Sequence, residues 1–226
     1  MPRVRSTRQF EPALDWYASA PGQGLLAVEQ AAMARVLGQN PASAPGWLWL
    51  GVPGATPPDS ERRRGLLLRR DEGGYAGDVR CALPLPIASE SLGVVLVQHV
   101  LDDALPGDAL LDECARVLDP SGVLWLAVLN PWSPYRARWL RSGLRAHDPG
   151  RWQRRLQRAG FAIDSLSLQW LGPRWRSAHG DVGVGAVDRL RAGVALTVSK
   201  RTLAAIPPAP LRGLRLQIGS TMSRGR

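Results

Sequence analysis

After a polar, irregular start, the chain opens at Pro21-Gly22 on a segment in which Leu25, Leu26, Glu29, Met33, Val36 and Leu37 fall near helical spacing until Gly38. Positions three and four apart share one helix face, so this spacing predicts an amphipathic helix. A Pro/Gly/Ser connection leads into Trp47-Leu48-Trp49-Leu50, a continuous apolar run closed by Gly51-Val52-Pro53-Gly54. That is the pattern of a buried strand and its turn. Shorter strands are predicted at Gly65 to Leu68 and at Asp78 to Leu83. Ser91 to Gln98, β-branched and apolar on both faces, reads as a strand of a parallel sheet covered on both sides.

Farther along, Leu110, Leu111, Cys114, Ala115 and Leu118 mark one face of a second helix, with Asp108 in its first turn and Arg116 in its last, as the helix dipole favours. Asp119-Pro120-Ser121-Gly122 ends it. Val123 to Leu129 is the next buried strand, stopped by Asn130-Pro131. Asp148-Pro149 supplies an N-cap and a first-turn proline for a third helix, whose stripe is Trp152, Leu156 and Ala159 and whose stop is Gly160. Phe161 to Trp170 alternates apolar and polar residues, and Val194 to Val198 is the last strand. Strands alternating with helices, then two closing strands, predict one doubly wound, mostly parallel α/β sheet. The domain is expected over residues 21–205, between an irregular arm (1–20) and a basic, mobile tail (206–226).

In such sheets ligands bind beyond the carboxyl ends of the strands. The candidate residues are therefore Gly51 to Ala55, Arg69 to Glu72, Cys81, Gln98 with His99, and Asn130 to Tyr135. His179-Gly180 lies in the loop before the final strand.

Charge alters this picture at one end only. The 226 residues carry 29 Lys+Arg and 19 Asp+Glu, formally +10, with Lys200 the one lysine. Before Arg136 there are 11 arginines and 15 acids, net −4; from Arg136 onward there are 18 basic residues and 4 acids, net +14. Eight arginines fall within Arg136 to Arg158, interleaved with Trp139 and Trp152. Such a cluster suits a nucleic-acid phosphate backbone or an anionic membrane surface, or is a solvated helix face in an arginine-rich composition. The longest apolar run, Val123 to Leu129, is far short of a membrane span, and no apolar stretch follows the N-terminal charges. A soluble, cytoplasmic protein is expected. Cys81 and Cys114 stand far apart without a CxxC, and the histidines are dispersed, so neither a disulfide framework nor a metal centre is indicated.

Between Leu85 and Pro131 the chain resembles the class I S-adenosylmethionine-dependent methyltransferases of the type 11 kind. Leu85-Pro86-Ile87 followed by Ser91-Leu92-Gly93 is similar to that family's L-P-F…S-F-D segment. Leu110-Leu111-Asp112-Glu113-Cys114-Ala115-Arg116-Val117-Leu118 is similar to its L-L-x-E-x-x-R-V-L helix, and Pro120-Ser121-Gly122-Val123-Leu124 to its P-G-G-x-L turn. His99, Asn130-Pro131-Trp132-Ser133, His179-Gly180 and Ser199-Lys200-Arg201 together suggest a small bacterial branch.

The resemblance implies a Rossmann-like sheet of seven-stranded type, S-adenosylmethionine as cofactor, and methyl transfer to an unidentified small or macromolecular acceptor. It implies cofactor contacts at Gly51 and Gly54, at Asp71 or Glu72 for the ribose, at Cys81 for the adenine, and at Gln98. Where the family has D-x-G-x-G-x-G, this chain has Trp49-Leu50-Gly51-Val52-Pro53-Gly54-Ala55, and the short connection to Gly65 leaves the first strand–helix unit truncated. In-line methyl transfer depends on positioning and needs no protein nucleophile. His179 is the candidate base for the acceptor's proton, with His99 and Asn130 as further catalytic candidates. A different reading is a non-catalytic protein of this fold that has lost its cofactor and works through its arginine-rich surface.

Overall fold

The computed structural model describes residues 13–39, 46–59, 65–71, 73–103, 107–174 and 186–200. The basic tail and most of the N-terminal arm lie outside these residues. Helix α1 (Ala20–Gln39) is followed by β1 (Gly46–Gly51), β2 (Gly65–Asp71), β3 (Gly74–Gly77) and β4 (Leu92–Gln98). Then come α2 (Asp108–Val117), β5 (Leu118–Leu129), α3 (Pro149–Arg158), β6 (Ala162–Leu171) and β7 (Gly193–Ser199). The strands form one seven-stranded sheet in the order β3-β2-β1-β4-β5-β7-β6. β2, β1, β4 and β5 run parallel, and β7 lies antiparallel between β5 and β6. The expected mostly parallel α/β sheet is present.

Its core is the apolar runs read from the sequence. β4 is buried along its whole length, and Trp49, Leu50, Leu124, Trp125 and Leu126 are inaccessible. α2 turns Leu110, Leu111, Cys114 and Val117 inward, and α3 turns Trp152 and Leu156. The Asp148 carboxylate accepts from the Arg151 N–H, with Pro149 in the first turn, as the capping pattern predicts.

Two boundaries differ from the sequence reading. β5 begins at Leu118, which pairs with Leu92 before the register shifts and Val123 pairs with Val94, so Asp119 to Gly122 is an irregularity within a strand. The predicted third strand at Asp78 to Leu83 is replaced by β3, which forms an antiparallel hairpin with β2. Glycine makes that hairpin possible. Gly73 turns at φ +75°, and a Cβ on Gly77 would lie 2.0 Å from the Leu67 carbonyl oxygen. Cys81 therefore does not end a parallel strand; it makes an isolated antiparallel bridge to Tyr75. Among the described residues no helix separates β1 from β2, in keeping with the short connection.

Candidate functional site

At the carboxyl ends of β1 and β4 the structure buries a chain of polar side chains. Gln98 ends β4, and His99 follows at φ +58°, a left-handed conformation uncommon outside glycine. That turn places the imidazole between two carboxylates. Nδ1 lies 2.6 Å from Asp102 Oδ2 and Nε2 lies 2.7 Å from Glu29 Oε1. The Tyr17 hydroxyl donates to Asp102 Oδ2 at 2.7 Å, and its ring stacks on the imidazole with centroids 4.7 Å apart. Gln98 donates to Glu29 Oε2 and accepts from the Trp49 indole N–H, at 2.8 and 3.2 Å. The Leu129 N–H completes the Asp102 shell.

Glu29, Gln98, His99 and Asp102 are all inaccessible to solvent. Burial alone would disfavour the imidazolium, but the Glu29 charge and the hydrogen bonds to Asp102 and Glu29 outweigh it and push the His99 pKa up to about 10. At neutral pH His99 is thus a cation donating from both nitrogens to buried carboxylates. Burial and Asp102 likewise hold the Tyr17 phenol well above its ordinary range. The cluster ties α1, the turn before it, β1, β4 and β5 into one unit.

The glycine loop after β1 is packed by the chain itself. A Cβ on Gly51 would come within 2.2 Å of the Trp49 ring. Gly54, at φ +79°, lies under Ala18 and Gln23, and Gln23 Nε2 donates to both the Gly54 and Tyr17 carbonyls. Arg69 closes the other side, donating from Nε to the Ala55 carbonyl over the Trp49 ring.

Beside this packed region is a cavity of about 220 Å³ between the ends of β2, β3 and β4. Tyr75, Leu83, Val100 and Leu101 give it apolar walls, and Arg70 and Asp103 bring opposite charges with Arg70 Nη2 3.9 Å from Asp103 Oδ2. Asp71, at the end of β2, pairs with Arg80 at 3.1 Å. Cys81 is half-buried, and burial pushes its thiol pKa up, so it is not a thiolate at neutral pH. Asn130 donates to the Arg189 and Arg191 carbonyls, both at 2.7 Å, and accepts from the Trp132 N–H, which fixes the β5 exit against the chain entering β7.

The structure thus brings Gly51, Gly54 and Gln98 together with His99, and sets Asp71 and Cys81 on the β2–β3 side. Glu72 and His179 lie outside the described residues. Sequence reasoning misses Tyr17, Asp102, Asp103 and Tyr75 and takes Glu29 only as part of a helical stripe. A carboxylate at an inward helical position is itself a signal, because such a group is buried only with a partner.

No protein-family model matches the sequence, and no curated protein matches it. Solved structures do resemble it. One is a SAM-dependent methyltransferase of Thermotoga maritima, 16% identical, with a TM-score of 0.52 over 79% of this chain and 91% of that one. Another is a chain from the complex of the Haloferax volcanii Trm112 methyltransferase activator with its methyltransferase partner, 14% identical, with a TM-score of 0.50 over 84% of this chain and 98% of that one. The fold is therefore that of the class I methyltransferases.

The Thermotoga maritima neighbour is S-adenosylmethionine-dependent, and the residues of this chain would fit that cofactor unevenly. The cavity suits the nucleoside half, offering apolar walls for a base and a carboxylate for its amine. The space against Gly51 and Gly54, which the amino-acid half would need, is taken by Trp49, Ala18 and Gln23.

Proposed function

We propose that the protein is an S-adenosylmethionine-dependent methyltransferase acting on an acceptor not yet identified. The observation that carries this reading is the cavity at the ends of β2, β3 and β4 of a methyltransferase-type sheet. When bound, S-adenosylmethionine supplies an electrophilic methyl group. Tyr75, Leu83, Val100 and Leu101 hold the base away from water, and Asp103 accepts from its exocyclic amine. Asp71, at the end of β2, or Glu72, the next residue in the chain, takes the ribose hydroxyls. Asn130 fixes the segment against which an acceptor is aligned, and His179, assigned from its place in the chain, receives the acceptor's proton. His99 acts as a buried cation that positions Gln98 and the loop after β4.

A second reading is favoured by the packing at Gly51 and Gly54: a protein of this fold that recognises a nucleoside without carrying out methyl transfer. Calorimetric titration with S-adenosylmethionine, its demethylated product and adenosine separates the two. The methyltransferase reading expects saturable binding of both sulfur compounds, tighter than adenosine. Asp103→Asn then weakens them about tenfold, the loss of one charge-assisted hydrogen bond. Equal affinity for adenosine marks the second reading, and no heat at millimolar ligand rejects both.

A further inference from the structure

The segment after β5 also presents an outward surface, and none of its residues lines the cavity. From Pro131 to His147 there are four arginines, Arg136, Arg138, Arg141 and Arg145, and no acid. The Ser133 hydroxyl accepts from the Tyr135 N–H and starts a 3-10 turn, Pro134–Arg138, which Trp132 precedes and Leu140 follows in the chain. These two are the most exposed large apolar residues among those described, at 53% and 57%. Leu190, also exposed, is held at the Trp132 end of the segment, where its carbonyl accepts from the Ser133 hydroxyl.

Exposed leucines beside an indole and arginines are what an amphipathic interfacial surface uses. The apolar groups enter the acyl boundary while guanidinium groups remain at headgroup level. We infer that this segment docks the protein on an anionic lipid surface. Charge complementarity selects the occupant: Arg136, Arg138, Arg141 and Arg145 are all exposed, in a segment that holds no acid. Single-stranded RNA fits less well. It needs a row of exposed ring faces, whereas Tyr135 and Trp139 are buried and carry Arg138 and Arg136 over their rings, and two of the three exposed apolar groups are aliphatic.

The inference is independent of methyl transfer and is tested without a cofactor. The full chain is mixed with vesicles of phosphatidylcholine, with vesicles of phosphatidylcholine and phosphatidylglycerol in equal parts, and with mixed-sequence RNA, across a salt series. Partition onto the anionic vesicles alone is expected, weakening with salt. Arg136→Gln/Arg138→Gln/Arg141→Gln lowers it about a hundredfold, at roughly a fivefold loss per arginine. Trp132→Ser/Leu140→Ser lowers it about tenfold; because the Trp132 ring also contacts Trp170, melting is measured alongside, and Leu140→Ser alone lowers partition in the same direction. The inference is overturned by no partition, by partition indifferent to Trp132→Ser/Leu140→Ser, or by RNA binding that the glutamine variant abolishes while vesicles are ignored.

Discussion

His99 has its charge decided by a contest between desolvation and two carboxylates, and the carboxylates win. Its pKa is about 10 in the folded protein against 6.5 ordinarily, so the folded state holds the proton more tightly. The resulting stability is present in full below pH 6.5 and is lost as the pH rises through about 10. Between those values the free energy of unfolding falls by up to about 1.4 kcal/mol per pH unit from this one group. The buried thiol of Cys114 contributes in the same direction from about pH 9 upward and the phenol of Tyr17 from about pH 10, so the slope between pH 6.5 and 9 is the one that reports His99. His99→Gln keeps a donor but removes the charge, leaving two carboxylates without their cation, and is expected to cost about 3 kcal/mol or more at pH 7. Urea denaturation between pH 6.5 and 10 checks both statements. An unchanged pH slope in the variant would show that the cluster is not its source.

The hairpin of β2 and β3 shows at the element scale what the sequence makes legible. β4, β5 and α3 are long enough for periodicity and caps to mark them. β3 has four residues, two of them glycine, and no alternation to detect. It exists because Gly73 turns left-handed and because Gly74 and Gly77 let backbone approach backbone. The same hairpin explains why sequence reasoning misplaces the adenine side of the site. It makes Cys81 a strand end, whereas Tyr75 and Asp103 line the cavity. The polar cluster is hidden for another reason: Glu29 and His99 are separated by all of β1 through β4, and only the fold brings them together. Gly77→Ala forces its new methyl against the Leu67 carbonyl and is expected to destabilise by about 1–3 kcal/mol. Calorimetric melting measures that cost, and a Gly77→Ala protein as stable as the parent would contradict the hairpin.

Across the whole molecule, the order of the sheet sets which parts open first. β4 is hydrogen-bonded on both sides, to β1 and β5, and its amides from Val95 to Val97 should exchange with solvent only through global unfolding. β6 is an edge strand whose pairing with β7 breaks between Ala162 and Ser167, so its first residues should exchange early. The turn at Leu14–Ala18 lies outside the sheet, yet Tyr17 is bonded to Asp102 and the Trp16 indole donates to the Arg138 carbonyl. It should therefore exchange like core. In native-state hydrogen exchange the Ser19 and Gln23 amides, bonded to the Trp16 and Ser19 carbonyls, are expected to be protected in the parent protein. In Tyr17→Phe, which loses the bond to Asp102, they should lose that protection by one to two orders of magnitude, about 1.5–3 kcal/mol for a hydrogen bond to a charged group. Val95 to Val97 should stay slow in that variant. Fast exchange at Ser19 in the parent would mean that the first turn is not fastened to the buried cluster and leaves the loop at Gly54 open to a ligand.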